Sequence, residues 1–473
     1  MRRVLTVAAA AVVFAGVARA QEPELPVGLG GEEPAAGEPE LPVGLESGEQ
    51  GARAPAPSSE AERDLAARLR ELGLTGFFDL RFGSRTQRDP HERDLSIAEA
   101  RLRLEWERTF DPVTVRLAGD LLADALADRW TPELETGAGW FDLREASVAA
   151  SPWSFMDVRL GRQVLTWGTG DLLFINDLFP KDWVSFFVGR DDEYLKAPSD
   201  ALRIGLFSEV ANFDLAWTPR FDPDRFIRGE RVSYYNPMLG RRAGRDAVAD
   251  PIVPDDWGAD GELSGRLHRN FDGLELAAYG YHGRWKSPGG FDPGSGQATF
   301  PRLSVYGASA RTQLAGGIAN AEVGYYDSRQ DAGGGNPNVS NSELRALLGF
   351  ERDLPEIADA LTVGAQYYLE AMLGHADYER TLPPGVPVRD ELRHVVTLRV
   401  TKLLLEQRLR LSLFAYLSPS DVDGYVRPSA SYTIDDQWSV SVGANVFFGE
   451  DPFTFFGQFE RNTNVFVAAR WSF

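Results

Sequence analysis

Asn464-Val-Phe-Val-Ala-Ala-Arg-Trp-Ser-Phe473 (NVFVAARWSF) is the stretch whose reading decides the fold. Side chains alternate along a strand, so Val465, Val467, Ala469, Trp471 and Phe473 share one face. Asn464, Arg470 and Ser472 take the other. A strand that is apolar on one side, polar on the other and tipped with aromatics suits a wall between lipid and water. Working outward, the same alternation recurs in Phe78/Leu80/Phe82, Leu102/Leu104/Trp106, Leu202/Ile204/Leu206, Leu344/Ala346/Leu348/Phe350 and Val440/Val442/Ala444/Val446. Opposite faces carry charges: Asp79 and Arg81, then Glu99, Arg101, Arg103 and Glu105. A soluble sandwich has no use for so many charged strand positions.

The N-terminal end agrees. Residues 1–20 combine Arg2 and Arg3, an apolar run from Val4 to Val17 and Ala18-Arg19-Ala20, which reads as a secretory signal cleaved after Ala20. No stretch approaches the ~20 apolar residues of a spanning helix. A membrane protein with these ends must then cross as a closed barrel, which satisfies every backbone polar group. The expected address is the Gram-negative outer membrane, with its lipid as the surrounding partner. The sequence lacks cysteine, which excludes disulfides and thiolate metal sites. A net charge of −21 argues against nucleic acid.

From residue 74 to 473 the pattern yields about eighteen strands, all-β and antiparallel. Connections should alternate between short periplasmic turns such as Thr109–Pro112 and Asn270–Gly273 and long outer loops such as Val164–Ser199 and Pro219–Gly261. Phe141–Ala150 is weakly patterned; discounting it points to sixteen. Trp106, Trp153, Trp438, Trp471 and Phe473 would ring the periplasmic side, and Trp217 and Tyr367 the outer side.

Residues 21–58 are acidic and Pro-rich and cannot bury enough surface to order, which predicts a disordered periplasmic arm. It contains EPELPVGL twice, at Glu22–Leu29 and Glu38–Leu45. Leu25, Pro26, Val27, Leu29, Leu41, Pro42, Val43 and Leu45 read as two copies of a motif docking a periplasmic or inner-membrane transport component, two copies raising avidity. A duplication in a spacer is the plain alternative. Residues 59–73 read as a short helix, capped by Ser59 with Glu62 and ended by Gly73.

Gly161-Arg-Gln163 followed by Trp167-Gly168, and Phe453-Thr-Phe-Phe-Gly457 before the last strand, resemble the alginate-export-like, porin-type outer-membrane barrels. The resemblance implies a conduit in the outer membrane and no particular substrate. The arm has no counterpart in it.

Within loop Val164–Ser199, aromatic residues mix with charges: Trp167, Asp171, Phe174, Asp177, Phe179, Lys181, Asp182, Trp183, Phe186 and Arg190. So apolar a segment is expected to fold into the lumen as a constriction or plug, a cap over the barrel mouth being the alternative. Lumen charges of both signs read as pairs that stiffen the wall. The five histidines are scattered and no HExxH or GxSxG occurs; His268, His282 and Ser264 are the nearest approach to a barrel hydrolase. Asp421-Val-Asp423-Gly424 reads as a turn rather than a calcium loop. No enzyme, cofactor or metal is expected. The functional reading is a loop-plugged conduit, coupled through the arm to a transport partner that delivers an amphiphilic or apolar substrate. The alternative is a passive porin for small polar solutes or an exopolysaccharide.

Overall fold

In a computed structural model, which describes residues 68, 69 and 71–473, the alternation closes into a barrel. The signal, the arm with its docking residues and most of the 59–73 helix lie outside the described residues. Residues 68, 69 and 71 are helical, and Gly73, at φ +72°, ends the turn.

Eighteen strands form the wall. The first six are β1 (Leu74–Arg85), β2 (Leu95–Phe110), β3 (Val113–Asp124), β4 (Phe141–Trp153), β5 (Met156–Val164) and β6 (Pro198–Leu206). The next six are β7 (Asn212–Thr218), β8 (Glu262–Phe271), β9 (Leu274–Arg284), β10 (Arg302–Leu314), β11 (Gly317–Ser328) and β12 (Glu343–Asp353). The last are β13 (Leu361–Met372), β14 (Leu392–Leu404), β15 (Leu409–Ser418), β16 (Asp423–Thr433), β17 (Trp438–Gly449) and β18 (Asn464–Ser472). Each pairs antiparallel with its sequence neighbours, and β18 closes on β1 with Phe78 opposite Trp471 and Arg85 opposite Asn464. Closure leaves no open strand edge.

The closing strand has the faces its sequence predicts: Val465 and Val467 are about half exposed on the outer wall, whereas Asn464 is buried. Phe473 sits over Gly76, and their backbones exchange two hydrogen bonds. Outside, Leu348, Val323 and Tyr306 continue the apolar band; inside, Asp79, Arg101 and Asp120 are buried.

β4 settles the count at eighteen and explains its own weak pattern. Its pairing with β3 shifts between Ala118 and Gly119: Glu145 faces Ala118, Leu143 faces Gly119, and Arg144 is the extra residue. A bulge of this kind flips the alternation midway. Asp142 and Arg144 point inward on one side of it, Ser147 on the other. The long connections fall at one end of the barrel, as the sequence predicts, except that the β15–β16 connection (419–422) is no longer than the turns on either side of it (405–408 and 434–437).

Candidate functional site in the lumen

The connection from β5 to β6 lies inside the barrel, because its partners are inward-facing side chains around the wall. At its start, Gly168 adopts φ +89°, open to glycine without strain. The turn brings five groups of Thr169-Gly170 and Asn176 onto one carboxylate, Glu322 of β11. Glu322 accepts from Gly170 N (2.8 Å), Thr169 Oγ1 (2.9 Å), Asn176 Nδ2 (2.9 Å), Asn176 N (3.4 Å) and Thr169 N. It is 2 % exposed and faces Ser309 and Leu347 across the sheet, so the loop alone satisfies it. Tyr326 OH, on the same strand, donates to the Ile175 carbonyl at 2.5 Å.

Further round the same wall, Arg399 of β14 grips Asp171 with two hydrogen bonds, one of 2.8 Å, and Tyr416 of β15 donates to the Leu172 carbonyl. The loop then turns through α1 (Trp183–Val188). Asp182 caps it by accepting from Ser185 N at 2.7 Å, and Gly189 closes it at φ +94°. A Cβ on Gly189 would stand 2.4 Å from the Phe466 ring. Phe186 and Phe187 enter an aromatic core with Tyr425, Phe447 and Phe459, the Phe187–Phe459 ring centroids being 5.0 Å apart.

After α1 the loop runs on to β2, β1, β18 and β16. Arg190 holds Glu99 of β2 at 2.7 Å, Asp191 accepts from Arg81 of β1 at 2.9 Å and from Arg470 of β18, and Arg427 of β16 holds Asp192 at 2.6 Å. Burial alone would lift the Asp191 pKa; the guanidiniums of Arg81 and Arg470 reverse this and hold it below the usual carboxylate range.

All ten predicted loop residues belong to this assembly. Trp167 meets Phe179 edge to face at 5.0 Å. Asp177 pairs with the buried Lys181 at 2.9 Å, and Lys181 also lies 4.6 Å from the Phe174 ring. Trp183 Nε1 donates to Asp224 at 3.2 Å. Asp224 and Arg225 belong to the β7–β8 loop, and Arg225 bridges Asp182 to Asp142 of β4. Burial raises the Asp224 pKa despite donors from Lys181 N and Ser287.

The wall charges depart from the expectation of pairing only among themselves. Arg101 bridges Glu99 and Asp120 on the wall, but Arg399 and Arg427 take their carboxylates from the loop. Sequence reading missed Glu322, Arg225 and Asp224. The available signal was Glu322 itself, an inward acid with no cation opposite it in either neighbouring strand. Asp421 and Asp423 are engaged elsewhere: Asp421 with Arg393, Asp423 with the Phe456 backbone N–H.

His268 and His282 are not brought together. His268 faces the lumen beside Asp214 at 3.3 Å, whereas His282 is on the outer wall, 3.2 Å from Ser304. Arg329 Nη1 stands 3.0 Å from His282 Nε2. A guanidinium only donates, so Nε2 accepts, and in the neutral ring Nδ1 carries the proton. That tautomer offers Ser304 no lone pair to take its proton.

No protein-family model and no curated protein matches the chain. Among solved structures it is similar to OccAB1 of Acinetobacter baumannii, at 12 % identity over 84 % of this chain and 95 % of that one, TM-score 0.49. It is also similar to OmpF of Salmonella typhi (10 % identity, 85 % and 97 % covered, TM-score 0.40). OmpT of Vibrio cholerae is comparable (11 % identity, 85 % and 98 % covered, TM-score 0.40). With its closed wall, apolar outer band and long loops at one end, the chain is an eighteen-stranded antiparallel β-barrel of the membrane-spanning kind.

Proposed function

We propose that the chain is an outer-membrane conduit whose passage is narrowed or closed by the loop between β5 and β6. The observation that carries this is the spread of the loop's anchors. Ties to β1, β2, β11, β14, β15, β16 and β18 span the lumen, which a cap over the mouth would not need.

The lining favours a polar cargo over the apolar or amphiphilic one expected from the aromatic loop. A cavity of about 310 Å³ adjoins the loop, lined by Arg399, Arg410, Arg427 and Arg470 together with Asp79, Asp191, Asp192 and several serines. Such a wall of both charges suits a small polar solute or a stretch of exopolysaccharide. Coupling through the doubled EPELPVGL motif is the second reading, favoured by the repeat itself; a peptide of residues 22–45 that captures no periplasmic component would remove it. The tautomer of His282 speaks against a hydrolase.

The direct test is single-channel conductance in planar bilayers, for the mature protein and a variant lacking residues 165–195. The proposal expects small or no conductance in the intact barrel and a several-fold larger, steady one after deletion. Equal conductance in both would show that the loop does not limit passage.

A further inference from the structure

Away from the lumen, the outer wall carries a row of cations. Arg284 of β9 stands opposite Arg302 of β10, and Arg329, just past β11, donates its backbone N–H to the Arg302 carbonyl at 3.1 Å. The next row toward the membrane is His282, Ser304 and Asp327, and below it come Gly280, Tyr306 and Tyr325. Strand alternation fixes the face: Tyr306 and Tyr325 are 60 % and 40 % exposed, while the intervening Tyr281, Val305 and Tyr326 are buried inside.

Like charges directly opposite one another on adjacent strands repel. Arg284 finds relief in Asp260, at 2.6 Å. Arg329 has only neutral partners, the Gly283 carbonyl at 3.0 Å and His282 at 3.0 Å. Burial first, then the charges of Arg302 and Arg284, press its pKa down, against Asp327. Arg302 is exposed, and among the described residues its guanidinium has no hydrogen bond or ion pair; only its backbone is engaged, the N–H by Gln330 and the carbonyl by Arg329. The row therefore holds a cationic site that the protein itself leaves unmatched.

Its height says what would match it. The long loops place this end outside the cell, and exposed tyrosines mark the headgroup level of a bilayer. Arg302 lies four residues beyond Tyr306, about 14 Å along the strand at roughly 3.4 Å per residue. Strand tilt of about 40° reduces this to about 10 Å along the membrane normal. Arginine side chains there meet the headgroups of the outer leaflet, and guanidinium is matched to phosphate in geometry and charge.

We propose that Arg302 and Arg329, flanked by Arg284 and His282, bind a phosphate on the headgroup of an outer-leaflet glycolipid. The test is native mass spectrometry of the full mature barrel in detergent, titrated with bis-phosphorylated lipid A. Wild type is expected to retain one lipid A. Arg302→Gln with Arg329→Gln should weaken binding at least tenfold, and dephosphorylated lipid A should bind wild type as weakly. Arg108→Gln, on the outward face at the periplasmic end opposite Val115, should leave binding unchanged. Undiminished binding by the double variant overturns the proposal, as does an equal loss with Arg108→Gln. Displacement of lipid A by millimolar inorganic phosphate would overturn the lipid in favour of a free anion. Folding is checked by heat-modifiable gel migration. Should the double variant fail to fold, Arg302→Gln carries the test, since its guanidinium holds nothing in the fold.

Discussion

Glu322 concentrates more of the loop's anchorage than any other side chain described above. A buried carboxylate that accepts from three backbone N–H groups, a hydroxyl and an amide stays stable only while all are in place. Glu322→Gln keeps the shape but removes the charge and turns one acceptor into a donor. With charged hydrogen bonds at roughly 1.5–3 kcal/mol each, it should loosen the Thr169–Asn176 turn by about 2–4 kcal/mol. The expected outcome is a noisier and larger single-channel current with the barrel's melting unchanged. A silent channel identical to wild type would mean that the turn is held by packing of Trp167 and Ile175 instead. Arg399→Ala acts on the other end of the same segment by releasing Asp171. Both substitutions should converge on one open-state conductance, because either frees the same stretch of backbone.

The loops behave as elements with their own stability. The β7–β8 loop contains Asp222, 8 % exposed, whose Oδ2 has no protein partner. Burial is the main cause that pushes its pKa up to about 7; Lys286 opposes the shift and Glu262 adds to it. An acid whose pKa is higher folded than unfolded, where it is about 4, binds more protons in the native state between those values. The loop is thus most stable below about pH 4 and loses stability as pH rises through 7. Hydrogen exchange across residues 219–261, corrected for intrinsic rates, should slow from pH 8 to pH 5.5. Asp222→Asn should flatten that difference, and an undiminished pH dependence in the variant would assign it to another group. On the strands, the two faces predict opposite tolerances. Leu348 is 63 % exposed at the middle of β12. Leu348→Arg should cost about 2–4 kcal/mol in urea refolding into vesicles, as a cation facing lipid near the midplane does. Ser441→Arg, on the wall of the lumen cavity, should cost little and alter ion selectivity instead.

At the scale of the whole molecule, the proposed function makes the closed wall a conduit and the tethered loop the part that decides whether it is open. The Glu322 and Arg399 predictions therefore share one readout, the conductance of the intact barrel. Much of this was written locally. The faces of Leu74–Arg85 and Asn464–Ser472, the alternation of short and long connections and the aromatic loop all follow from a two-residue period and from turn lengths, which are properties of neighbouring residues. β4 was faint because a bulge breaks its period at Arg144, and a one-residue slip looks like disorder in the pattern. The partners of the loop were not legible. Asp171 and Arg399 are 228 residues apart, and Thr169 and Glu322 are 153 apart. Which of many inward charges meet depends on barrel closure, strand tilt and register together. The sequence by itself determined the strands, their faces and the loop that had to be buried. Only the tertiary structure decided what the loop holds, because charge pairing across a lumen is set by three-dimensional distance, on which sequence spacing is silent. The arginine row of the outer wall became visible for the same reason: Arg284, Arg302 and Arg329 come together only once three strands lie in register.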